Sequence, residues 1–220
     1  MIDYSLLITY WPNLVRGTLV TLEIAAIGCF MGITLGTVLG FLQAQGNVYV
    51  RTAVAVYATL LRGTPMLIQI ACAVFVLPQL GITIPIFWAA TLAIGFNSSA
   101  YLSQIIRAGI ASVGKGQLEA AYTLGFTRMQ TIRFIILPQA LSAVLPALGN
   151  EFITLIKDSS LASTVGVMEL TKEASYIKNQ TYDALTVYFI IGVTYLLLTT
   201  PLSLLVARLE KRMNRHVNHQ

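Results

Sequence analysis

Glu151 stands in the apolar run Phe134 to Ile156, beside Pro138 and Pro146. A carboxylate at depth in hydrocarbon is expensive, so it marks a functional group by default. Its chemistry is to pair with an ammonium or a cationic side chain; the plainer alternative is an internal ion pair with Arg62 or Lys157 that only fixes helix packing. Further on, Lys157, Asp158, Ser159 and Ser160 put hydroxyls and backbone amides at an expected helix start, where an anion such as a carboxylate can dock. The alternative there is a helix cap with no ligand. Gln69 and Asn97, the latter next to Ser98, Ser99 and Tyr101, either line the same path or join neighbouring helices by hydrogen bonds. The backbone around Pro146 and Gly149 is expected to be irregular, which a bilayer tolerates only where the chain is buried in protein or lines a cavity.

Several chemistries fail on pattern. Gly114-Lys115-Gly116 lacks the upstream glycine and the Ser or Thr of a phosphate-cradling loop, so no ATP hydrolysis is expected from this chain. Neither a His-Glu-x-x-His nor a Gly-x-Ser-x-Gly pattern occurs, which leaves an intramembrane protease or lipase without a metal site or nucleophile. Cys29 and Cys72 lie singly in apolar runs and cannot form a cluster. His216 and His219 read as ordinary polar residues of a tail, and no metal is expected.

The elements that position these residues follow from composition. Of 220 residues, 56% are hydrophobic and 10% charged, and the mean hydropathy is +0.73. A soluble domain carries about a quarter charged residues; this chain belongs in a lipid bilayer as one all-α transmembrane domain, residues 1–220. Five spans are expected near 18–43, 53–80, 87–106, 134–156 and 184–207, with a long loop at 107–133 and a tail at 208–220. The start, Met1-Ile2-Asp3-Tyr4, lacks a basic region, so the first span is expected to remain in the membrane. That span carries Gly28, Gly32, Gly36 and Gly40 at a spacing that gives one smooth face for close helix approach. The second is expected to break at Gly63-Thr64-Pro65, with Thr64 as N-cap and Pro65 at the first helical position. Either an interfacial helix precedes a span starting at Thr64, or one long helix kinks at Pro65. The net charge of +5 reports orientation, not nucleic-acid binding. With Arg62 uncounted, an external N-terminus puts Arg51, Arg107, Lys115, Arg128, Arg133, Arg208, Lys211, Arg212 and Arg215 inside, against Arg16, Lys157, Lys172 and Lys178 outside.

The 107–133 loop reads as helix, tight turn, helix. Gln117 to Leu124 forms a short helix with Leu118, Ala121 and Tyr122 on one face; Gly125 supplies the left-handed turn, and Thr127 with Gln130 makes a capping box for the next helix. So short a helix is unstable alone and must pack on something. Glu119-Ala120-Ala121, Gly125 and Ile136-Leu137-Pro138 resemble the loop by which the membrane subunits of ATP-binding-cassette (ABC) importers engage their ATPase. Arg62-Gly63-Thr64-Pro65, Leu137-Pro138-Gln139-Ala140, Leu145-Pro146, Asn150-Glu151 and Lys157-Asp158-Ser159-Ser160-Leu161, in that order, are similar to the polar amino acid permease branch, which includes histidine, glutamine, glutamate and arginine importers. One departure is Ser159, where that branch carries Thr; a hydroxyl is retained.

The resemblance implies the five-helix type I importer permease fold in a bacterial inner membrane, with Glu119, Ala120, Ala121 and Gly125 coupling to a pair of ABC ATPase subunits that hold ATP and Mg. It further implies a second permease subunit, identical or related, a soluble extracytoplasmic binding protein and an amino acid substrate, with no cofactor in this chain. Two other readings are an ion-coupled carrier using Glu151 and Asp158, and a non-transporting assembly subunit. The docking loop speaks against the first, because a gradient-driven carrier has no need of it.

Overall fold

A computed structural model describes residues 5–217, without the side chains of residue 212 and residues 214–217. The readings made on the first four residues, on Arg212 and Arg215, and on His216 and His219 therefore lie outside the described residues. The described chain is helical throughout. A short helix α1 (Ser5–Thr9) leads into α2 (Trp11–Gln45), which closes at Gly46; there Asn47 caps α3 (Val48–Gly63) by accepting from the Val50 amide at 3.0 Å.

After α3 the chain turns sharply. The helical segments Val48–Gly63 and Met66–Leu80 meet at 99° across Thr64-Pro65. Thr64 ends α3, donating to the Leu60 carbonyl at 2.9 Å, and Pro65 is the cap of α4 (Met66–Ala71). The expected N-cap thus moves one residue along: a hydroxyl that bonds back into the preceding turn is not available to the following one. A bend so large makes two helices and not one long helix with a kink. A π turn (Cys72–Val76) and a 3-10 turn ending at left-handed Gly81 carry the chain to α5 (Ile86–Ala111).

The loop contains α6 (Lys115–Thr123) and α7 (Arg128–Thr131); a π turn (Ile132–Ile136) then joins α8 (Leu137–Asp158). The fourth span is less irregular than its prolines predict. Pro138 lies within a helix that runs on from Arg128 to Val165, and the π turn just before it leaves room for the ring. Pro146 lies inside α8 without ending it, so Glu151 stands on regular helix. A 3-10 stretch, Ser159–Val165, continues from α8 and ends at Gly166; α9 (Leu170–Thr181) and α10 (Ala184–Val217) complete the chain. Asp183, ahead of α10, accepts from Thr186, and these hydrogen bonds hold its carboxyl below the usual carboxylate range. The expected tail at 208–220 is helical as far as Val217.

Among the described residues, Trp11–Gln45, Arg128–Val165 and Ala184–Lys211 are long and apolar enough to cross a bilayer, and the bent pair makes a fourth such unit. At 26 residues, α5 is long enough too, but Asn97, Ser98, Ser99, Ser103 and Gln104 make it less apolar than its lack of charge suggested. Most of its surface is covered by protein, which is where polar groups in a span belong. The core lies where α2, α5 and α8 meet: Ile24, Ile70, Ile94, Leu155 and Ile156 are buried together.

The glycine face of α2 packs on α5, as its spacing predicts. A Cβ on Gly32 would stand 2.4 Å from Ser98 Oγ, one on Gly36 2.8 Å from Leu102 Cβ, and one on Gly40 2.6 Å from the Ser103 carbonyl. These three positions tolerate hydrogen alone, and that close approach brings the polar face of α5 to the bundle axis.

Candidate functional site

Three groups of polar residues emerge, and the first surrounds Glu151. From α8, Glu151 Oε1 accepts a hydrogen bond of 2.7 Å from Ser98 Oγ on α5. Glu151 is only partly buried, and Asp158 stands two turns along the same helix. The internal pair with Arg62 is not what forms: the Arg62 guanidinium lies over the Tyr101 ring, 5.1 Å from its centroid, a contact that sequence reasoning missed.

The second group fastens the break in span two. Gln69 Nε2 donates to the Leu61 carbonyl at 2.7 Å and to Thr64 Oγ1 at 2.8 Å; Asn97 Nδ2 donates to Gln69 Oε1 at 3.0 Å and to the same Leu61 carbonyl at 3.2 Å. Ending α3 at Gly63 frees carbonyls that α4 cannot reach, and two amide side chains take them. Gln69 and Asn97 therefore join helices, the plainer of their two readings. Nearby, Tyr57 on α3 and Ser99 on α5 share a 2.6 Å hydrogen bond.

Lys157, Asp158, Ser159 and Ser160 do not begin a helix. The Ser159 amide bonds back to the Leu155 and Lys157 carbonyls, and its hydroxyl donates to the Ile156 carbonyl at 2.8 Å. With that amide already spent, the expected carboxylate dock at a helix N-terminus is corrected: the chain tightens from α-helix to 3-10 helix without exposing a first turn.

The third group went unnoticed in the sequence. Glu169 caps α9, accepting from the Lys172 amide at 2.8 Å, from Tyr195 Oη at 3.0 Å and from Thr21 Oγ1 at 3.4 Å. One turn on, Glu173 Oε2 accepts from Asn13 at 3.0 Å, while its Oε1 is buried with no hydrogen-bond partner. Both acids are almost fully enclosed, at 0% and 1% exposure. The signal that could have found them is an acid pair at helical spacing beside apolar Leu170, Ala174 and Ile177, which share the buried side of α9.

In the loop, Ala121 is buried and Leu118 packs toward Val113, Ile136 and Ala140. Tyr122, expected on the same face, is 55% exposed, because the chain reverses just beyond it. Gly125 has φ +80, and the Gly125 and Phe126 amides return to the Tyr122 and Ala121 carbonyls, a paired closure that stops the helix. The Thr127–Gln130 capping box has both of its arms. Glu119 and Ala120 point into solvent, flanked by Leu124 and Met129 at 77% and 72% exposure. A short capped helix with an exposed apolar fringe is built to be covered by another surface.

The chain has close relatives of almost its own length. A family model described as the inner membrane component of binding-protein-dependent transport systems matches residues 32–215. The glutamine transport system permease protein GlnP of Escherichia coli strain K12 is 38% identical over 213 residues, covering 96% of this chain and 97% of that protein. A putative glutamine transport system permease protein of Rickettsia felis is 35% identical, covering 96% and 98%. A chain from a crystal structure of an amino acid ABC transporter with histidines superposes with a TM-score of 0.90 at 36% identity, covering 96% and 99%. The methionine ABC transporter MetNI, in an inward-facing conformation, shares the fold with a TM-score of 0.78 at 23% identity, covering 93% and 98%. The chain therefore belongs to the family of binding-protein-dependent transport system inner membrane components, the permease subunits of ABC importers.

Proposed function

We propose that this subunit carries polar amino acids through the inner membrane and that Glu151 receives the cationic end of the substrate. The observation that carries the reading is the Ser98–Glu151 pair: a part-buried carboxylate amid the spans, held by one hydroxyl, with its other lone pairs uncommitted. A substrate ammonium or guanidinium supplies the positive charge that such a carboxylate attracts. The relatives named for glutamine and the structure described with histidines support the amino acid class.

The energy comes from partners. A pair of ABC ATPase subunits holds ATP and Mg and grips the α6 loop through Glu119, Ala120 and the exposed Tyr122, Leu124 and Met129; this chain contributes no hydrolysis. A second permease, identical or related, completes the pathway, and a soluble binding protein delivers substrate from outside. The N-terminus faces out and the α6 loop faces the cytoplasm, an orientation that the distribution of Lys and Arg supports. ATP closes the ATPase pair, α6 moves with it as a rigid body, and the paired bundles pass from inward-open to outward-open. ATP drives this only through its preference for one state over the other.

The test is uptake by cells or vesicles with Glu151→Gln, a change that keeps a hydrogen-bond acceptor for Ser98 and removes the charge. Transport is expected to fall while the complex still assembles. Undiminished transport at low substrate concentration would refute the role of Glu151.

A further inference from the structure

At the end of the bundle that carries the α6 loop, α2, α3 and α5 enclose an open groove of about 600 Å³. Two arginines stand on its rim, Arg51 in the first turns of α3 and Arg107 toward the end of α5, and no acidic residue lines it. Arg107 is held in place: its Nε donates to Gln104 Oε1 at 3.2 Å, and Gln104 Nε2 in turn donates to Gln43 Oε1 at 2.8 Å. That relay spends one face of the guanidinium and leaves its terminal nitrogens for another acceptor. Along α3 from Arg51 the wall is mainly apolar, with Ala55, Val56 and Leu60 lining the groove beside Thr52 and Thr59; Val56 and Leu60 are 53% and 63% exposed. The nine helical steps from Arg51 to Leu60 span about 14 Å, so one occupant meets cationic groups at one end and a mainly apolar wall at the other.

We propose that this groove binds an anionic phospholipid, with its phosphate between Arg51 and Arg107 and an acyl chain against Val56 and Leu60. Guanidinium groups fit phosphate oxygens in pairs, and basic grooves between spans on the cytoplasmic side suit anionic headgroups. A free phosphate ion would use the arginines and leave the apolar wall bare; a zwitterionic lipid would use the wall and repay the arginines less. The proposal rests on the orientation given above, which places the groove at the cytoplasmic leaflet.

Native mass spectrometry of the purified complex, titrated with phosphatidylglycerol or phosphatidylcholine in mild detergent, tests it. The wild type should retain phosphatidylglycerol preferentially, and Arg51→Gln with Arg107→Gln should weaken that retention roughly tenfold to thirtyfold, as two basic residues beside an anionic surface contribute. Arg51→Lys with Arg107→Lys should keep most of it, which separates lost charge from lost fold. Equal retention in the wild type and the glutamine pair would overturn the proposal, as would displacement of the lipid by millimolar inorganic phosphate. Disulfide formation between two copies carrying Val56→Cys in native membranes would also overturn it, by giving the groove to a second chain. The orientation is checked separately: labelling of Thr52→Cys only from outside, by an impermeant maleimide, would reject the orientation whatever lipid retention showed.

Discussion

Glu151 and the pair Glu169–Glu173 are carboxylates in one bundle with opposite surroundings. Glu169 has its oxygens filled by Thr21, Tyr195 and the Lys172 amide, and Glu173 is sealed against Asn13 and the close approach of Gly17. Glu151 has one hydroxyl partner and remains partly accessible. An acid whose own fold supplies its donors is a fastener, here tying α9 to α2 and α10. An acid left with open lone pairs between spans is equipped for a ligand. The supply of partners separates Glu169 from Glu151; Glu173, with one donor and one oxygen buried without a partner, is separated from Glu151 by its complete enclosure.

The comparison can be broken by substitution. Glu169→Ala should have the largest effect, removing a helix cap and the carboxylate that accepts from Thr21 and Tyr195, at a cost of about 2–4 kcal/mol; thermal unfolding of the purified chain should show it, and unaltered stability would mean that α9 is held by other contacts. Glu151→Gln should leave that unfolding curve nearly in place and raise the substrate concentration for half-maximal uptake about 10-fold to 100-fold, the worth of a hydrogen bond to a charged group. Gly32→Ala sharpens the contrast, because its Cβ would stand 2.4 Å from Ser98 Oγ. Overpacking there should cost about 1–3 kcal/mol and displace the hydroxyl that holds Glu151, so uptake should fall along with stability. Gly125→Val, at φ +80, should cost roughly 1–3 kcal/mol confined to the loop: membrane insertion survives, and co-purification of the ATPase weakens.

Legibility in the sequence followed how local each cause is. The α6 turn at Gly125, the capping box and the break at Pro65 depend on a few adjacent residues, and all were readable. The glycine stripe of α2 was readable because it repeats. Helix starts at Thr64 and Ser159 were misplaced, because whether a hydroxyl caps the next helix or bonds back to the last turn depends on geometry that residue type leaves open. The α9 fasteners were missed for a different reason: Glu169 meets Thr21 and Tyr195 only through packing across distant parts of the chain. Glu151 was found on charge and apolar context, yet its partner Ser98 needed the α2–α5 contact to be seen.

The central claim, that Glu151 serves the substrate and the α9 acids serve the fold, is tested most directly by ATP-driven accumulation of radiolabelled amino acids in proteoliposomes that contain the assembled complex, with Glu151→Gln beside Glu173→Gln. The account predicts that the Glu151 variant assembles, hydrolyses ATP and accumulates little substrate at low concentration, while the Glu173 variant transports in proportion to the folded protein it yields. Wild-type accumulation by the Glu151 variant, with transport lost per folded complex in the Glu173 variant, would contradict it.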